Sequence, residues 1–345
     1  MKNIYLYVLS CIMTIIFINI FHDLARHFGL VDIPSGRKNH VGEVPLTGGL
    51  AMFLAISCAM FLHGTLAGIY FAMFPALAFL VIIGVCDDLL ELSAGSRFAA
   101  QAVAALWMVY MGGVAITDLG DIFGTGVVRL GVWSVPFTVF CVIGVVNAVN
   151  MLDGIDGLAC GVVLGVLGVF GGVALMGGDG SPAVLLFVTV GSVVGFAVFN
   201  MRSPWRARAA VFMGDSGSMM LGFLVAWFAV ELAQGPAIAF SPITAVWIMA
   251  LPILDTVSLM LRRILKGRSP FAPDHDHLHH IFLQAGFSVQ QTVALIMLFS
   301  LAFGVLGIEA WFYGVPEYVM FCGFMLLFLL YYFGTSNAWR LIQSR

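Results

Sequence analysis

The chain has 345 residues, of which 61% are hydrophobic and only 10% are charged, and its formal net charge at pH 7 is -3. Its mean hydropathy is +1.04. The length alone would suggest two or three soluble domains, but this composition excludes them and indicates an integral membrane protein. The six cysteines are scattered through apolar runs without paired spacing, so we expect neither disulfides nor thiolate metal ligands.

Apolar runs long enough for a hydrocarbon core of about 30 Å predict an all-α protein with about eleven membrane-spanning helices. The first run lacks a small-residue cleavage site, so we expect an uncleaved span rather than a signal peptide. The predicted spans are Ile4–Leu24, Thr47–Leu62, Leu66–Cys86, Phe98–Met111, Val132–Val146, Leu158–Met176, Pro182–Phe199, Ser218–Glu231, Pro242–Leu261, Val289–Ile308 and Tyr318–Phe333.

With these spans, nearly all basic residues fall in one set of loops, and only Lys2 and Arg129 remain on the opposite side. The positive-inside rule makes the basic loops cytoplasmic, so we predict an external N-terminus and a cytoplasmic C-terminus. The short fourth span is retained because dropping it would divide the basic loops between the two faces. We expect residues 1–345 to form one membrane domain with its site in the cytoplasmic loops and an outer hairpin at Thr117–Gly131.

The densest polar stretch follows the fifth span and contains Asn147, Asn150, Asp153 and Asp156, each three residues after the one before. On a helix or a tight helical end, this spacing brings the four side chains to one face. A polar loop between two spans is the alternative, although cytoplasmic loops are usually basic rather than a mixture of amides and acids.

Two further acidic positions fall on the same predicted face. Asp87 and Asp88 end the third span and precede Arg97, and such a pair is costly in a membrane unless a cation neutralises it. A purely structural pair, each acid held by its own arginine, is the alternative. Asp215 lies between glycines at the start of the eighth span, where it could also be an ordinary N-cap. Taken together with Asn150, these acids favour an oxygen-rich Mg²⁺ site.

Two basic clusters complete the cytoplasmic face. Arg37, Lys38 and His40 precede a glycine-rich helix start at Thr47–Gly49, which predicts a phosphate site, with simple positive-inside anchoring as the alternative. Asp255 lies seven residues before Arg262 and so on the same helical face. Downstream, four histidines fall within six residues, and they suit either a Zn²⁺ site or phosphate and sugar oxygens. They are His275, His277, His279 and His280.

In this order, the motifs resemble those of the polyprenyl-phosphate N-acetylhexosamine-1-phosphate transferases, and the resemblance covers most of the chain. The segments that carry it are Arg37–Gly49, Asp87–Glu91, Asn147–Ala159, Phe212–Ser218 and Ser269–His280. The last segment is similar to that of the bacterial branch that uses UDP-N-acetylglucosamine and undecaprenyl phosphate. His275 stands where arginine is expected, which leaves another UDP-N-acetylhexosamine, such as a 6-deoxy sugar, open.

The resemblance implies transfer of a sugar 1-phosphate from a UDP-sugar to a polyprenyl phosphate, with release of UMP. It implies Mg²⁺, with Mn²⁺ as a substitute, held on the diphosphate by Asp215 and Asn150. The remaining roles that it implies are catalysis by Asp87 and Asp88, nucleotide binding by Asp153, Asp156 and Phe212, and phosphate or sugar binding by Lys38, Arg97, His277, His279 and His280. Direct attack by the lipid phosphate and a two-step path through an aspartyl phosphate both remain open.

We therefore expect a multi-pass protein of the bacterial inner membrane that initiates a cell-envelope polysaccharide such as O-antigen. Its expected partners are the UDP-sugar, the lipid acceptor and the membrane, with no nucleic acid. The sequence leaves the oligomeric state open, and a homodimer is one option. A transporter is the alternative of a different class, but its polar groups would lie near the bilayer midplane, often in repeated halves.

Overall fold

The computed structural model describes residues 4–32, 42–64, 69–176, 180–235, 239–270 and 277–343. These ranges are predominantly helical, and their only sheet is a short antiparallel pair, β1 (Val31–Asp32) and β2 (Val44–Pro45). The predicted all-α membrane architecture is confirmed. The chain divides into two compact units, Met1–Ile116 with Val132–Ala239 and Thr117–Gly131 with Phe240–Arg345. A single functional domain stays a prediction.

Every predicted span of the first unit falls on a helix. The fifth and eighth helices are longer than predicted, because one continues to Leu152 and the other begins at Gly214, and both extensions carry predicted site residues. The helices are α1 (Ile4–Phe28), α2 (Gly48–His63), α3 (Ile69–Leu90), α4 (Ala94–Tyr110), α5 (Ser134–Leu152), α6 (Leu158–Met176), α7 (Gly180–Asn200) and α8 (Gly214–Gln234).

The central helix of the first unit is α8, because 94% of its apolar window is buried, compared with 22% for α1. The side chains of Phe223, Trp227 and Phe228 are fully buried. A helix that is apolar on all sides is stable only when other helices surround it. Here α2, α3, α5 and α6 pack against α8. Its N-terminal end is therefore held by its neighbours.

Glycines bring α2, α3 and α8 into backbone contact. A Cβ atom on Gly49 would lie 2.2 Å from the amide nitrogen of Gly217, and one on Gly84 would lie 2.2 Å from Cα of Ser216. Distances this short leave no room for a side chain at either position. These glycines therefore determine how closely the end of α3 approaches the start of α8.

The second unit contains five α-helices among its described residues. They are α9 (Pro242–Ile248), α10 (Ala250–Leu265), α11 (Leu278–Gln284), α12 (Val289–Phe312) and α13 (Glu317–Gln343). The predicted hairpin at Thr117–Gly131 is also present, since Leu119 donates to the carbonyl of Val128 and Val128 donates to that of Gly120, both at 2.9 Å. The carboxylate of Glu317 accepts a hydrogen bond from the Asp121 N–H and so ties this hairpin to α13.

The prediction of one continuous ninth helix over Pro242–Leu261 is wrong. The chain bends by 81° between α9 and α10, at Met249. Pro252 explains the break, because proline cannot donate to the carbonyl four residues earlier and its ring clashes with that carbonyl. That carbonyl belongs to Ile248, the last residue of α9. The new helix then starts with a hydrogen bond from the Ile253 N–H to the carbonyl of Met249 at 3.2 Å.

Eight helices among the described residues are long and apolar enough to cross a membrane, and the bent α9–α10 pair would provide a ninth. α2 is apolar but has 16 residues, and α4 has 17. All six cysteines are free thiols, as predicted.

We expect Gly84→Ala to destabilise the protein, because the added methyl group would push α3 away from the first turn of α8. Overpacking of this kind costs about 1–3 kcal/mol. Gly165→Ala in α6 is the matched control, because no atom lies within 4 Å of a Cβ added there. Thermal unfolding of the purified variants in detergent measures the effect. Equal unfolding temperatures for the two variants would contradict the proposed backbone contact.

Candidate active site

Predicted site residues from three helices of the first unit meet at one end of that unit. Asp87 and Asp88 lie in the last turn of α3, Asn150 lies near the end of α5, and Asp215 lies in the first turn of α8. Asn150 donates from Nδ2 to Oδ1 of Asp215 at 2.6 Å and to Oγ of Ser218 at 2.8 Å. Residues more than sixty positions apart therefore form one polar cluster.

Asp88 stabilises the N-terminal turn of α8. Its Oδ1 accepts from the N–H of Asp215 at 2.8 Å, and its Oδ2 faces the N–H of Ser216 at 3.5 Å. A carboxylate in this position is favoured by the unpaired N–H groups and by the helix dipole. Gly214 has a φ of +71°, and a Cβ there would lie 2.6 Å from Oδ2 of Asp88. Asp88 thus caps α8 from a neighbouring helix, while its direct catalytic role stays a prediction.

Asp87 is buried and both of its carboxylate oxygens accept hydrogen bonds. Oδ1 accepts from the N–H of Leu92 at 2.8 Å, and Oδ2 forms an ion pair with Nη1 of Arg97 at 3.2 Å. In the turn that connects Asp87 to Leu92, Glu91 has a φ of +50°, which is unfavourable for a residue with a side chain. The sequence predicted that a cation would neutralise this acid, and Arg97 does so.

Asp215 is not the N-cap of α8, because it lies inside the first turn and Met213 occupies the cap position without a side-chain bond. Its carboxylate interacts electrostatically with Asp87 and Arg97 in addition to accepting from Asn150. The amide nitrogen of Asn150 is used in holding Asp215 and Ser218. Its carbonyl oxygen is the atom that would serve as a metal ligand.

Asp156 is hydrogen-bonded to the segment that connects α7 to α8. Its Oδ2 accepts from Nε of Arg202 at 2.7 Å and from the N–H of Ala209 at 3.1 Å. Asn200 was not among the predicted site residues. It accepts a hydrogen bond from the N–H of Gly157 at 2.9 Å and donates one to the carbonyl of Val211 at 3.0 Å. The turn after α5 is therefore locked to the segment that leads into α8.

Asp153 follows directly after α5, outside the apolar span. Burial, together with the nearby charges of Asp215 and Asp156, raises the pKa of its carboxyl group to about 7. A carboxyl group with such a pKa changes its charge near neutral pH. This makes the charge of the cluster sensitive to pH and to any bound cation.

The cluster contains more carboxyl groups than arginines. Five carboxylates, those of Asp87, Asp88, Asp153, Asp156 and Asp215, are connected by the contacts above, and the arginines bonded to them are Arg97 and Arg202. Among the described residues, no three histidine, cysteine or acidic side chains converge on a complete metal site. An excess of hard oxygen donors without a closed cage suits an ion such as Mg²⁺, which usually takes only one or two carboxylates from a protein.

The predicted phosphate site at the start of α2 is not available as expected. The N–H groups of Gly48 and Gly49 donate to the carbonyls of Phe212 and Met213, at 3.1 and 3.0 Å, so they do not face an anion. Phe212 pairs through its own N–H with the carbonyl of Pro45 at 2.9 Å, and its side chain is partly exposed. Lys38, with Arg37 and His40, lies outside the described residues.

In the second unit, Asp255 and Arg262 lie on one face of α10, as predicted, and both contact α13. Nη1 of Arg262 donates to Oγ1 of Thr335 at 3.1 Å. Asp255 contacts His277 and Tyr331.

The described histidines of the segment before and within α11 are His277, His279 and His280. The ring centroids of His277 and His279 are 5.5 Å apart, and those of His279 and His280 are 4.2 Å apart. They do not form a metal site among the described residues, so the Zn²⁺ alternative is not supported there. His275 lies outside that part of the chain.

Two buried amide residues of these hydrogen-bond networks, Gln101 and Asn200, were not predicted as site residues, although the sequence gives a weak indication of each. Gln101 is buried in α4 and its Oε1 accepts from Nδ2 of Asn147 at 2.6 Å. Asn200 is buried at the end of α7. A polar amide within an apolar span is costly unless it is hydrogen-bonded, so each one indicates a buried contact without naming the partner.

We expect Asp153→Asn to stabilise the chain relative to wild type, and increasingly so as the pH rises. Between about pH 4, where an unfolded aspartate titrates, and about pH 7, the folded wild-type chain retains a proton that the unfolded chain has lost. Ionising Asp153 therefore costs folding stability over this interval, whereas asparagine carries no such penalty. The difference in unfolding temperature should grow up to about pH 7 and then level off.

Thermal unfolding in detergent without divalent ions, at a series of pH values, measures this difference. Asp23→Asn is the control, because Asp23 is exposed on α1. A difference for Asp153→Asn that is constant across the series would contradict the raised pKa.

Comparison with known proteins agrees with these observations. The model of the family described as "Glycosyl transferase family 4" matches residues 69–233. Over 343 residues, the chain is 35% identical to the undecaprenyl-phosphate alpha-N-acetylglucosaminyl 1-phosphate transferase of Haemophilus influenzae, covering 99% of this chain and 96% of the relative. Proteins of the same name from Yersinia pestis and Escherichia coli strain K12 are each 36% identical, covering 95% and 96% of this chain and 90% of each relative.

The matched region contains the acidic cluster of α3, α5 and α8, and the similarity to the relatives extends over both units. The chain therefore belongs to glycosyl transferase family 4, as a member of the polyprenyl-phosphate N-acetylhexosamine-1-phosphate transferases.

Proposed function

We propose that this protein transfers N-acetylglucosamine 1-phosphate from UDP-N-acetylglucosamine to undecaprenyl phosphate and releases UMP. The observation that carries the proposal is the meeting of Asp87, Asp88, Asn150 and Asp215 beside Arg97, in the motif order of a family that performs this reaction. The names of the relatives identify the sugar and the lipid. The product would initiate a cell-envelope polysaccharide such as O-antigen.

The proposed setting is the bacterial inner membrane. In this arrangement α2, α4 and the bent α9–α10 pair each cross the membrane in addition to the eight longer helices, which gives eleven spans. The N-terminus is outside and the C-terminus is cytoplasmic, because this orientation collects the basic loops on the cytoplasmic side. The UDP-sugar then arrives from the cytosol and the lipid phosphate arrives within the bilayer. A homodimer is compatible with the reaction but is not required by it.

The acidic cluster fits a divalent cation, for which we propose Mg²⁺ with Mn²⁺ as a substitute. Asp215 and the carbonyl oxygen of Asn150 would hold it, and the surplus of carboxylates over arginines in the cluster supports this assignment. When bound, such an ion neutralises charge on the diphosphate. Asp88 positions Asp215 for this task by capping the helix that carries it.

The favoured mechanism is direct attack by the lipid phosphate. A bond forms between an oxygen of the lipid phosphate and the β-phosphorus, the bond from that phosphorus to the bridging oxygen breaks, and its electron pair leaves with UMP. A phosphate monoester has a second pKa near ~6, so the acceptor needs little help from a base at pH 7. Asp87 is a poor nucleophile here, because both of its oxygens accept hydrogen bonds, one of them from Arg97.

The remaining site residues are assigned by the same family pattern. Arg97 extends from the buried Asp87 towards the surface and suits a phosphate oxygen of a substrate. We assign nucleotide binding to Asp153, Asp156 and Phe212, and phosphate or sugar binding to Lys38, Arg97, His277, His279 and His280. Since Arg202 and the Ala209 N–H both occupy Oδ2 of Asp156, the Oδ1 atom is the better candidate for a contact with the nucleoside.

The purified protein in detergent or nanodiscs should release UMP from UDP-N-acetylglucosamine only when undecaprenyl phosphate and a divalent cation are present. The assay measures UMP together with the lipid-linked sugar across a series of UDP-sugars. Turnover of a UDP-6-deoxy-N-acetylhexosamine alone would replace the proposed donor with the runner-up. Absence of UMP with every donor would contradict the proposed reaction. Asp215→Asn is the negative control for the site, and we expect a loss of about 10²-fold or more.

No phosphorylated enzyme should form if attack is direct. Wild-type protein is incubated with UDP-N-acetylglucosamine labelled in the β-phosphate, without lipid acceptor, and both protein-bound label and UMP are followed. An aspartyl-phosphate path would give a stoichiometric burst of UMP and a labelled protein. A burst in wild type that disappears in Asp87→Asn would establish the two-step path instead.

A further inference from the structure

The segment between α7 and α8 exposes a tryptophan. Trp205 is 94% exposed, the largest fraction among the exposed large hydrophobic side chains of the described residues. Pro204 and Trp205 form the tip of a tight turn, because Ser203 and Arg206 exchange backbone hydrogen bonds at 2.8 and 3.0 Å. The fixed φ of proline restricts this tip further. The turn therefore holds Trp205 outward in a defined backbone conformation.

The base of the turn is bonded to the rest of the first unit. Asp156 accepts from Nε of Arg202 on one side of the turn and from the N–H of Ala209 on the other. The N–H of Ala210 also donates to the carbonyl of Phe199 at 2.9 Å. Both ends of the turn are thus fixed, so the exposure of its tryptophan is a property of the fold.

Arg206 keeps the turn beside the end of α7. Its guanidinium carbon lies 5.0 Å from the ring centroid of Phe199, and its Nη1 donates to the carbonyl of Val198. Val198 is 53% exposed near the end of an apolar helix that is long enough to cross a membrane, and an exposed aliphatic side chain there faces lipid. The tip therefore lies at the level where the hydrocarbon of the membrane meets the headgroups.

The residues around Trp205 are basic. From position 201 to position 213 the sequence contains Arg202, Arg206 and Arg208 and no acidic residue. Arg202 is paired with Asp156, whereas Arg208 is exposed. Anionic headgroups attract basic side chains, and an indole is favoured at the boundary between hydrocarbon and headgroups. An acidic soluble protein would match the charge of this surface but not its place at the end of a membrane span.

We propose that residues 202–209 form a lipid anchor, which places the indole of Trp205 among the headgroups of the cytoplasmic leaflet and brings Arg206 and Arg208 to the phosphate groups of anionic phospholipids. This inference uses the proposed membrane orientation but not the proposed reaction. The indole supplies an apolar body and one N–H donor, which suits a surface that is apolar on one side and polar on the other. Because the same turn is bonded to Asp156, the anchor also holds that residue at a fixed height above the membrane.

Fluorine NMR of the full-length protein tests the surroundings of Trp205. The protein is produced with fluorotryptophan and reconstituted in nanodiscs of phosphatidylcholine, with or without phosphatidylglycerol. The resonance missing from Trp205→Phe belongs to Trp205, and Trp107→Phe assigns a comparison tryptophan that is 41% exposed on α4. A lipid spin-labelled near its headgroup broadens the resonances of groups in the membrane surface, and an aqueous gadolinium chelate broadens those in water.

We expect the spin-labelled lipid to broaden the Trp205 resonance more than the chelate does. Phosphatidylglycerol should strengthen this protection from the chelate, while the Trp107 resonance should not respond to it. Arg208→Gln should lower the ratio of lipid-bound to water-exposed turn about fivefold in nanodiscs with phosphatidylglycerol, the effect of one basic side chain at an anionic surface. Arg129→Gln removes an exposed arginine from the outer hairpin, and as the matched control it should leave the Trp205 resonance unchanged.

Each result decides the proposal. Broadening of the Trp205 resonance by the chelate and not by the spin-labelled lipid would place the turn in water and overturn it. Equal protection with and without phosphatidylglycerol would also overturn it, because the arginines would then not recognise the lipid charge. A resonance that responds to UDP-N-acetylglucosamine and not to lipid would assign the turn to substrate binding instead. The spectra require no turnover, so a protein that binds lipid here but releases no UMP would retain the anchor and contradict only the proposed function.

Discussion

The first unit depends on the close approach of α3 to the start of α8. Asp88 accepts from the N–H of Asp215, and the backbones of α3 and α8 come this close because Gly84 has no Cβ, which would overlap Ser216. Since α8 is surrounded by other helices, its first turn cannot move away to relieve the contact. Asp88 then neutralises the helix end, and Asp215 is held where Asn150 can reach it.

The acids of this site have different structural roles, which follow from their different hydrogen-bond and ion-pair partners. Asp88 accepts from backbone groups, Asp87 is paired with Arg97, and Asp156 is paired with Arg202. Each of these partners reduces the freedom of its carboxylate to take on a new ligand. Asp215 is held by a neutral amide, and Asp153 is destabilised in its charged form by burial and by its acidic neighbours. The cluster therefore combines fixed anchors with acids whose charge a substrate-bound cation can still compensate.

Much of the helical layout was predictable from hydropathy, because a membrane span is a property of one continuous segment. The break in the ninth helix was missed although Pro252 signals it, since an apolar run gives the same hydropathy whether it is straight or bent. The grouping of Asp87, Asn150 and Asp215 was inferred correctly from their common place at helix ends. The contacts of Asn200 and Tyr331 were not predicted, because a side chain's partner depends on tertiary packing.

The location of the acids at helix ends follows from the physics of the substrates of this family. A polyprenyl phosphate keeps its charged group at the membrane surface, because moving that charge into hydrocarbon is prohibitively costly. The groups that act on it must therefore lie in the last turn of one helix and the first turn of another, as Asp87 and Asp215 do. A transporter that carries its substrate through the bilayer would need its polar groups near the midplane. In the acidic cluster of this chain they are at the ends, and an enzyme working at the interface accounts for that placement.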